Sequence, residues 1–293
     1  MENRVAFIGF GEAAQAFCGE QKDATAWKAI SCTAFDVKTE TVLTAPQKRN
    51  DYAALGIHGK PTLKDALAQT QIILSLVTAD QALNAAKNAS AYLTPGSYYF
   101  DMNSVAPTTK IAAAKLIEAA GGKYVDVAVM APVHPARLFV PLLISGPHSE
   151  SALTVLFQLG FVNISEVGNE VGRASSIKMI RSVVIKGMEA LTAECVFAAE
   201  KADVLPEVLN SLGKAWAEQA DYNFERMMVH GLRRAAEMKE VSITLNALGV
   251  DNSLTSGTVK WQERIGGLGV SAPQLGLNNK LLQIKTSEQG INL

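Results

Sequence analysis

Lys178, Arg181 and Ser182 stand three and four residues apart, in a run that continues without a helix breaker from Gly172 to about Ala202. That spacing places all three on one helix face. The lysine lies in a stretch that is otherwise small and apolar. A semi-buried lysine loses the solvation that stabilises its charge, so its pKa falls toward working pH. Such an amine can take a proton from an alcohol or give one to a carbonyl. Ile177, Ile180, Val184, Met188, Leu191 and Cys195 recur at three- and four-residue steps, which predicts a single long helix. We read it as the hinge between a nucleotide-binding half and an all-helical half.

The elements that must position this lysine begin at the N-terminus. Val5 to Gly9 is a short apolar run, read as a buried strand with no signal peptide before it. Gly9, Phe10, Gly11, Glu12, Ala13 and Ala14 follow at once and lead into a helix that runs to Gly19. Strand, glycine turn and helix form the context that a dinucleotide fingerprint requires. Gly9 permits the tight turn, Gly11 lets the backbone approach a pyrophosphate, and Ala14 still allows close helix packing. The phosphates would sit on the backbone from Gly9 to Ala13, at a helix N-terminus that favours anions. Ala29 to Phe35 reads as the second strand, ending at Asp36. An acid there takes ribose hydroxyls and repels a 2′-phosphate, which favours NAD. Lys38, Lys48 and Arg49 keep NADP as the alternative.

Strands then alternate with helices: Ile72 to Val77, Tyr98 to Met102, Tyr124 to Ala128, Pro141 to Ser145 and Phe161 to Ile164. This implies a mostly parallel, doubly wound sheet covered on both faces. Ligands of such sheets lie beyond the strand carboxyl ends. Val77, Thr78 and Asn103 are therefore expected around the cofactor, and Ser104 and Met130 around the substrate. In the proline-rich loop after Met130, His134 and Arg137 are the strongly polar side chains and are expected to reach the same crevice. The boundary is placed near 167, giving a dinucleotide-binding domain over 1–167 and a helical domain over 168–293. In the second, Pro206 opens a helix to about Gln219, Phe224 to Leu248 forms another, and Leu254 to Ile265 a third. Gly266 to Gly276 reads as a surface loop.

Composition excludes several classes. The 293 residues are 48% hydrophobic and 19% charged with a net charge of -1, so no basic field draws the protein to nucleic acid or acidic membrane. No apolar run approaches a membrane span. Cys18, Cys32 and Cys195 show neither metal nor redox spacing, and no metal site is expected. A cytoplasmic location follows by elimination.

Four stretches in this order resemble the β-hydroxyacid dehydrogenases, the group that includes 3-hydroxyisobutyrate and 6-phosphogluconate dehydrogenases. They are the turn from Gly9 to Ala14; Asp101-Met102-Asn103-Ser104-Val105-Ala106-Pro107, similar to that family's Asp-x-Ser-Thr-x-x-Pro; Tyr124-Val125-Asp126, similar to the start of its substrate motif; and Gly172 followed by Lys178. Lys186 to Leu191 looks like a less characterised subgroup with its own helical domain. The resemblance implies a Rossmann domain, a helical domain entered through a long helix, a homodimer or higher oligomer built on the helical part, and Lys178 as catalytic lysine with Ser182 beside it. The departures matter as much. The family's Ser-Gly-Gly, which holds a carboxylate, is Met130-Ala131-Pro132 here, and these offer almost no donors. Its asparagine after the lysine is Ser182, and a later lysine is Ala236. The expected activity is therefore NAD(P)-dependent hydride transfer on an alcohol or ketone that is not a small β-hydroxy carboxylate. Arg181, Arg234, His134 and Arg137 would supply the remaining polar contacts. An imine reductase and a non-catalytic NAD(P) sensor are the alternatives.

Overall fold

The computed structural model describes residues 4–19 and 31–291; Ala29 and Ile30, expected to open the second strand, lie outside them. The chain divides into two compact units, Met1–Lys178 and Met179–Leu293. Among the described residues no helix is long and apolar enough to cross a membrane.

The first unit runs β1 (Arg4–Ile8), α1 (Glu12–Gly19), β2 (Ser31–Phe35), α2 (Ala45–Ala54), β3 (His58–Gly59), α3 (Leu63–Leu67), β4 (Ile72–Ser75), α4 (Ala82–Ser90), β5 (Tyr98–Asp101), α5 (Pro107–Ala119), β6 (Lys123–Val129), β7 (Leu142–Ser145), α6 (Ser149–Gln158) and β8 (Ile164–Glu166). The sheet order is β3-β2-β1-β4-β5-β6-β7-β8. Pairing is parallel except between β6 and β7, which are antiparallel. The chain thus reverses its winding direction at β1 and β4, where ligands of open α/β sheets bind.

β1 shows why this sheet needs two covers. Val5 and Phe7 join one buried layer with Phe10, Phe17 and Phe161; Ala6 and Ile8 join the other with Ile73, Tyr99 and Ile117. Successive side chains point to opposite faces, so an unbroken apolar run is stable only when both are buried. Cys18 and Cys32 pack in the first layer, where burial pushes the Cys32 thiol up to about 12 and the Cys18 thiol higher still. Neither is an available nucleophile.

α7 (Arg173–Lys201) begins in the first unit and continues in the second. α8 (Leu205–Leu212), α9 (Lys214–Ala247), α10 (Ser253–Gly266) and α11 (Leu277–Ile291) complete the helical unit. Its break falls at Gly213, whose φ of 94° suits glycine, and not between Gln219 and Phe224. α9 is one helix of 34 residues. α11 lies beyond the expected surface loop and was not expected as a helix. Gly231 and Gly266 make the α9–α10 crossing close: a Cβ on Gly231 would stand 2.5 Å from the carbonyl oxygen of Gln262.

The apolar ladder that predicts α7 faces outward. Ile180 is 50%, Val184 64% and Leu191 57% exposed. The buried face is instead Met179, Ser182, Lys186, Glu189, Ala193 and Val196. Its ions are matched within the unit. Lys186 Nζ reaches Glu237 at 2.6 Å, and Gln262 Nε2 donates to Glu189 at 2.6 Å. Paired charges and small residues decide which side is inside, against the simple hydropathy pattern.

Candidate active site

The first glycine turn is built to leave backbone bare. Gly9 has φ 82°, and a Cβ there would sit 2.5 Å from the Leu76 carbonyl oxygen. A Cβ on Gly11 would meet nothing within 4 Å. Gly11 and Glu12 are exposed, Ala13 is half-buried and Phe10 is fully buried. The start of α1 is thus an accessible helix N-terminus over a glycine turn, which fits a dinucleotide pyrophosphate. Gly9→Ala is expected to destabilise this turn and to weaken dinucleotide binding by more than about tenfold. A fluorescence titration reads it, and unchanged affinity would contradict the role of the turn.

Neighbouring groups hold the turn from the side. Phe10 N–H donates to Asp36 Oδ2 at 2.8 Å, and Lys38 N–H to Asp36 Oδ1 at 2.9 Å. Asp36 is 9% exposed, so the acid expected to meet a ribose also clamps the protein's own backbone. Lys48 Nζ donates to the Phe10 carbonyl at 2.6 Å and pairs with Asp51 at 2.8 Å. Burial pushes the Asp51 carboxyl up, but hydrogen bonds from Lys48 and Gln47 and the nearby lysine charges together hold it below its usual value. Lys48 is a strut of the turn, and of the basic residues considered for NADP it leaves Lys38 and Arg49 exposed.

At the ends of β4 and β5, Asn103 spends its amide on the protein. Its Oδ1 accepts from Val77 N–H at 2.7 Å, and its Nδ2 donates to Ser75 Oγ at 3.0 Å and to Asp101 Oδ1 at 2.8 Å. Asn103 therefore fixes the Val77 loop, with Thr78 exposed beside it. Ser104, one residue on, is half-buried, and Lys178 Nζ donates to its Oγ at 2.6 Å. The lysine picked out by sequence thus meets the hydroxyl that follows the Asp101 motif.

Beneath this pair lies a cluster that sequence reasoning missed. Lys110, on α5, is fully buried. It stands 3.0 Å from Asp101 Oδ1 and 3.3 Å from Asp126 Oδ1, and both carboxylates are fully buried. Asp126 Oδ2 also accepts from Gly172 N–H, Ser175 N–H and Ser175 Oγ at 3.0–3.1 Å. It thereby caps the start of α7 from β6. Tyr124 donates its hydroxyl to Asp101 Oδ2 at 2.8 Å, and burial followed by the Asp101 charge pushes that phenol well above its usual value. The cluster was findable in principle. Lys110 falls on the face of α5 that also carries Ala113, Ala114 and Ile117, all buried.

Other expected contacts fall elsewhere. His134 and Arg137 line an open depression of about 430 Å³ with Gln15, Gln47, Asp51 and Leu55, and neither Ser104 nor Lys178 lines it. The loop packs Val133 and Leu138 into the layer that holds Phe17, which carries both polar residues to the α1 and α2 side. Met130, half-buried, follows β6 and donates its N–H to the Pro141 carbonyl at 2.9 Å. In the helical unit Ser182 is buried and Arg181 exposed. Arg234 is 8% exposed and forks onto Glu189, with Nε at 2.9 Å from Oε2 and Nη2 on Oε1. Its donors are committed to that carboxylate, which leaves little of it for a substrate.

Comparison with known proteins agrees with the fold. Residues 4–152 match the family described as the NAD binding domain of 6-phosphogluconate dehydrogenase. Residues 199–265 match a domain of unknown function, DUF1932. A conserved hypothetical protein of Sinorhizobium meliloti is 32% identical in its solved structure, with a TM-score of 0.71, over 98% of this chain and 97% of that one. An uncharacterized 28.5 kDa protein of Methanothermus fervidus is 29% identical over 81% of this chain and 89% of its own length. The solved 3-hydroxyisobutyrate dehydrogenase of Mycobacterium tuberculosis shares the fold, with a TM-score of 0.70 at 17% identity, over 98% of this chain and 99% of that one.

Proposed function

The chain belongs to the family described as the NAD binding domain of 6-phosphogluconate dehydrogenase, and on that premise we propose that it moves a hydride between a nicotinamide cofactor and an alcohol or ketone, with Lys178 as general acid and base. The observation that carries this reading is the 2.6 Å bond from Lys178 Nζ to Ser104 Oγ, in the same unit as the bare glycine turn. When bound, the nicotinamide supplies the hydride chemistry. The turn from Gly9 to Ala13 holds its phosphates, with Val77 and Thr78 along one side. NAD is the first choice and NADP the second. Lys178 takes the hydroxyl proton of an alcohol as its C–H hydride departs, or gives a proton to the carbonyl oxygen in reverse. Ser104 keeps the amine aimed.

The segment Met130, Ala131 and Pro132 lacks the donors that would grip a carboxylate beside the reacting carbon, so the substrate is not a small β-hydroxy carboxylate. A panel of alcohols and ketones, followed by nicotinamide absorbance, tests the reading. Turnover of a larger alcohol supports it. Fastest turnover of 3-hydroxyisobutyrate would refute the substrate claim, and reduction of cyclic imines in preference to every ketone would favour imine reduction.

The outward face of α7 supports assembly through the helical unit. Ile180, Val184 and Leu191 form an exposed apolar strip, and such strips mark association surfaces. Val184→Arg with Leu191→Glu is expected to lower the oligomeric state in sedimentation. A wild-type monomer at the same concentration would contradict this.

A further inference from the structure

α9 carries a concentration of cations on one face. Arg226, Arg233, Arg234 and Glu237 lie at helical spacing, and His230 sits among them. Lys186 and Glu189 of α7 meet that face. The carboxylates are taken. Glu237 accepts from Lys186 at 2.6 Å and from Arg233 at 2.7 Å. Glu189 accepts from Arg234 and from Gln262. Arg226 is half-buried, and among the described residues no carboxylate lies within ion-pair distance of it. Glu225, its neighbour in sequence, is turned to Lys280. Burial first, then repulsion from Arg234 and Arg233, pulls the Arg226 guanidinium below its ordinary pKa; Tyr222 and Glu189 offset this in part.

A guanidinium presents a planar fork of donors matched to oxyanions and stays charged in proteins. Holding one half out of water beside two more, with the local carboxylates already engaged, is costly unless an anion completes the cluster. We propose that Arg226, with the exposed Arg233 near it on α9, binds an oxyanion, a carboxylate or a phosphate group.

The test is thermal denaturation of the whole chain with inorganic phosphate, malonate or chloride at matched ionic strength. A saturable stabilisation by phosphate or malonate beyond chloride is expected, and the stronger of the two names the class. Arg226→Gln should raise the half-saturating concentration by about tenfold or more, while Arg264→Gln, at the exposed Glu288 pair, should not. Should Arg226→Gln fail to fold, phenylglyoxal labelling of the wild type decides, since the oxyanion should protect Arg226. Absence of saturable stabilisation by either anion overturns the proposal, as does stabilisation that neither depends on Arg226 nor protects it. Lys178→Ala should keep the anion response, so a failed redox reading and a failed anion site register separately.

Discussion

Lys178→Ala is expected to lower kcat on the best substrate by about 10²–10⁴-fold, the usual range for loss of a positioned acid or base. The dissociation constant for the nicotinamide cofactor should stay within about twofold, because an interaction made mainly in the transition state costs turnover and not binding. The local geometry supports that separation. The amine projects from α7 onto Ser104, whereas the phosphate-facing backbone is fixed by Asp36 and Lys48. Added primary amines should restore part of the lost rate. Turnover near the wild-type value would remove Lys178 from the chemistry. Loss of cofactor binding in step with turnover would make it a structural residue.

Lys110→Met should have the largest effect on stability, about 3–5 kcal/mol, the usual cost of stripping the partner from a buried ion pair. Asp101 and Asp126 are fully buried and would face each other without the cation between them. The damage should also reach the proposed chemistry. Asp101 holds Asn103, the residue before Ser104, and Asp126 holds the first turn of the helix that bears Lys178. Both ends of the Lys178–Ser104 bond are thus anchored to carboxylates that share Lys110. Urea unfolding measures the loss. Lys110→Met combined with Asp126→Asn should cost less than the two single losses added together, because the residues interact directly. A single-variant loss below about 1 kcal/mol would show that the cluster is not held by charge.

These two lysines also show what the sequence could and could not reveal. Lys178 was singled out by its distance from Gly172, as in the family that the chain resembles, and its amine meets Ser104. Lys110 reads as an ordinary solvated lysine until β5 and β6 bring Asp101 and Asp126 to it, and nothing in linear order pairs Asp126 with a residue on α5. β1 and Gly9 were legible because a strand buried on both faces and a glycine at positive φ leave a dense local signature. α7 was legible in length but not in facing. Its inner side is built from small residues and ions whose partners, Glu237 and Arg234, lie on another helix. The same blindness affected Arg234 and Lys48, both of which read as available cations and are committed to Glu189 and Asp51. His134 and Arg137 were misplaced because a proline-rich loop has no periodicity to fix its course. The break at Gly213 was missed because the residues after it continue with good helix formers.

The central claim is that a nicotinamide dinucleotide rests on the turn from Gly9 to Ala13. Titration of the purified chain with NADH and with NADPH, followed by nicotinamide fluorescence, tests it most directly. The account predicts saturable binding in the micromolar range for the wild type, with NADH the tighter, retained in Lys178→Ala and lost in Gly9→Ala. Wild-type protein that binds neither nucleotide, or a Gly9→Ala variant that binds as the wild type does, would contradict it.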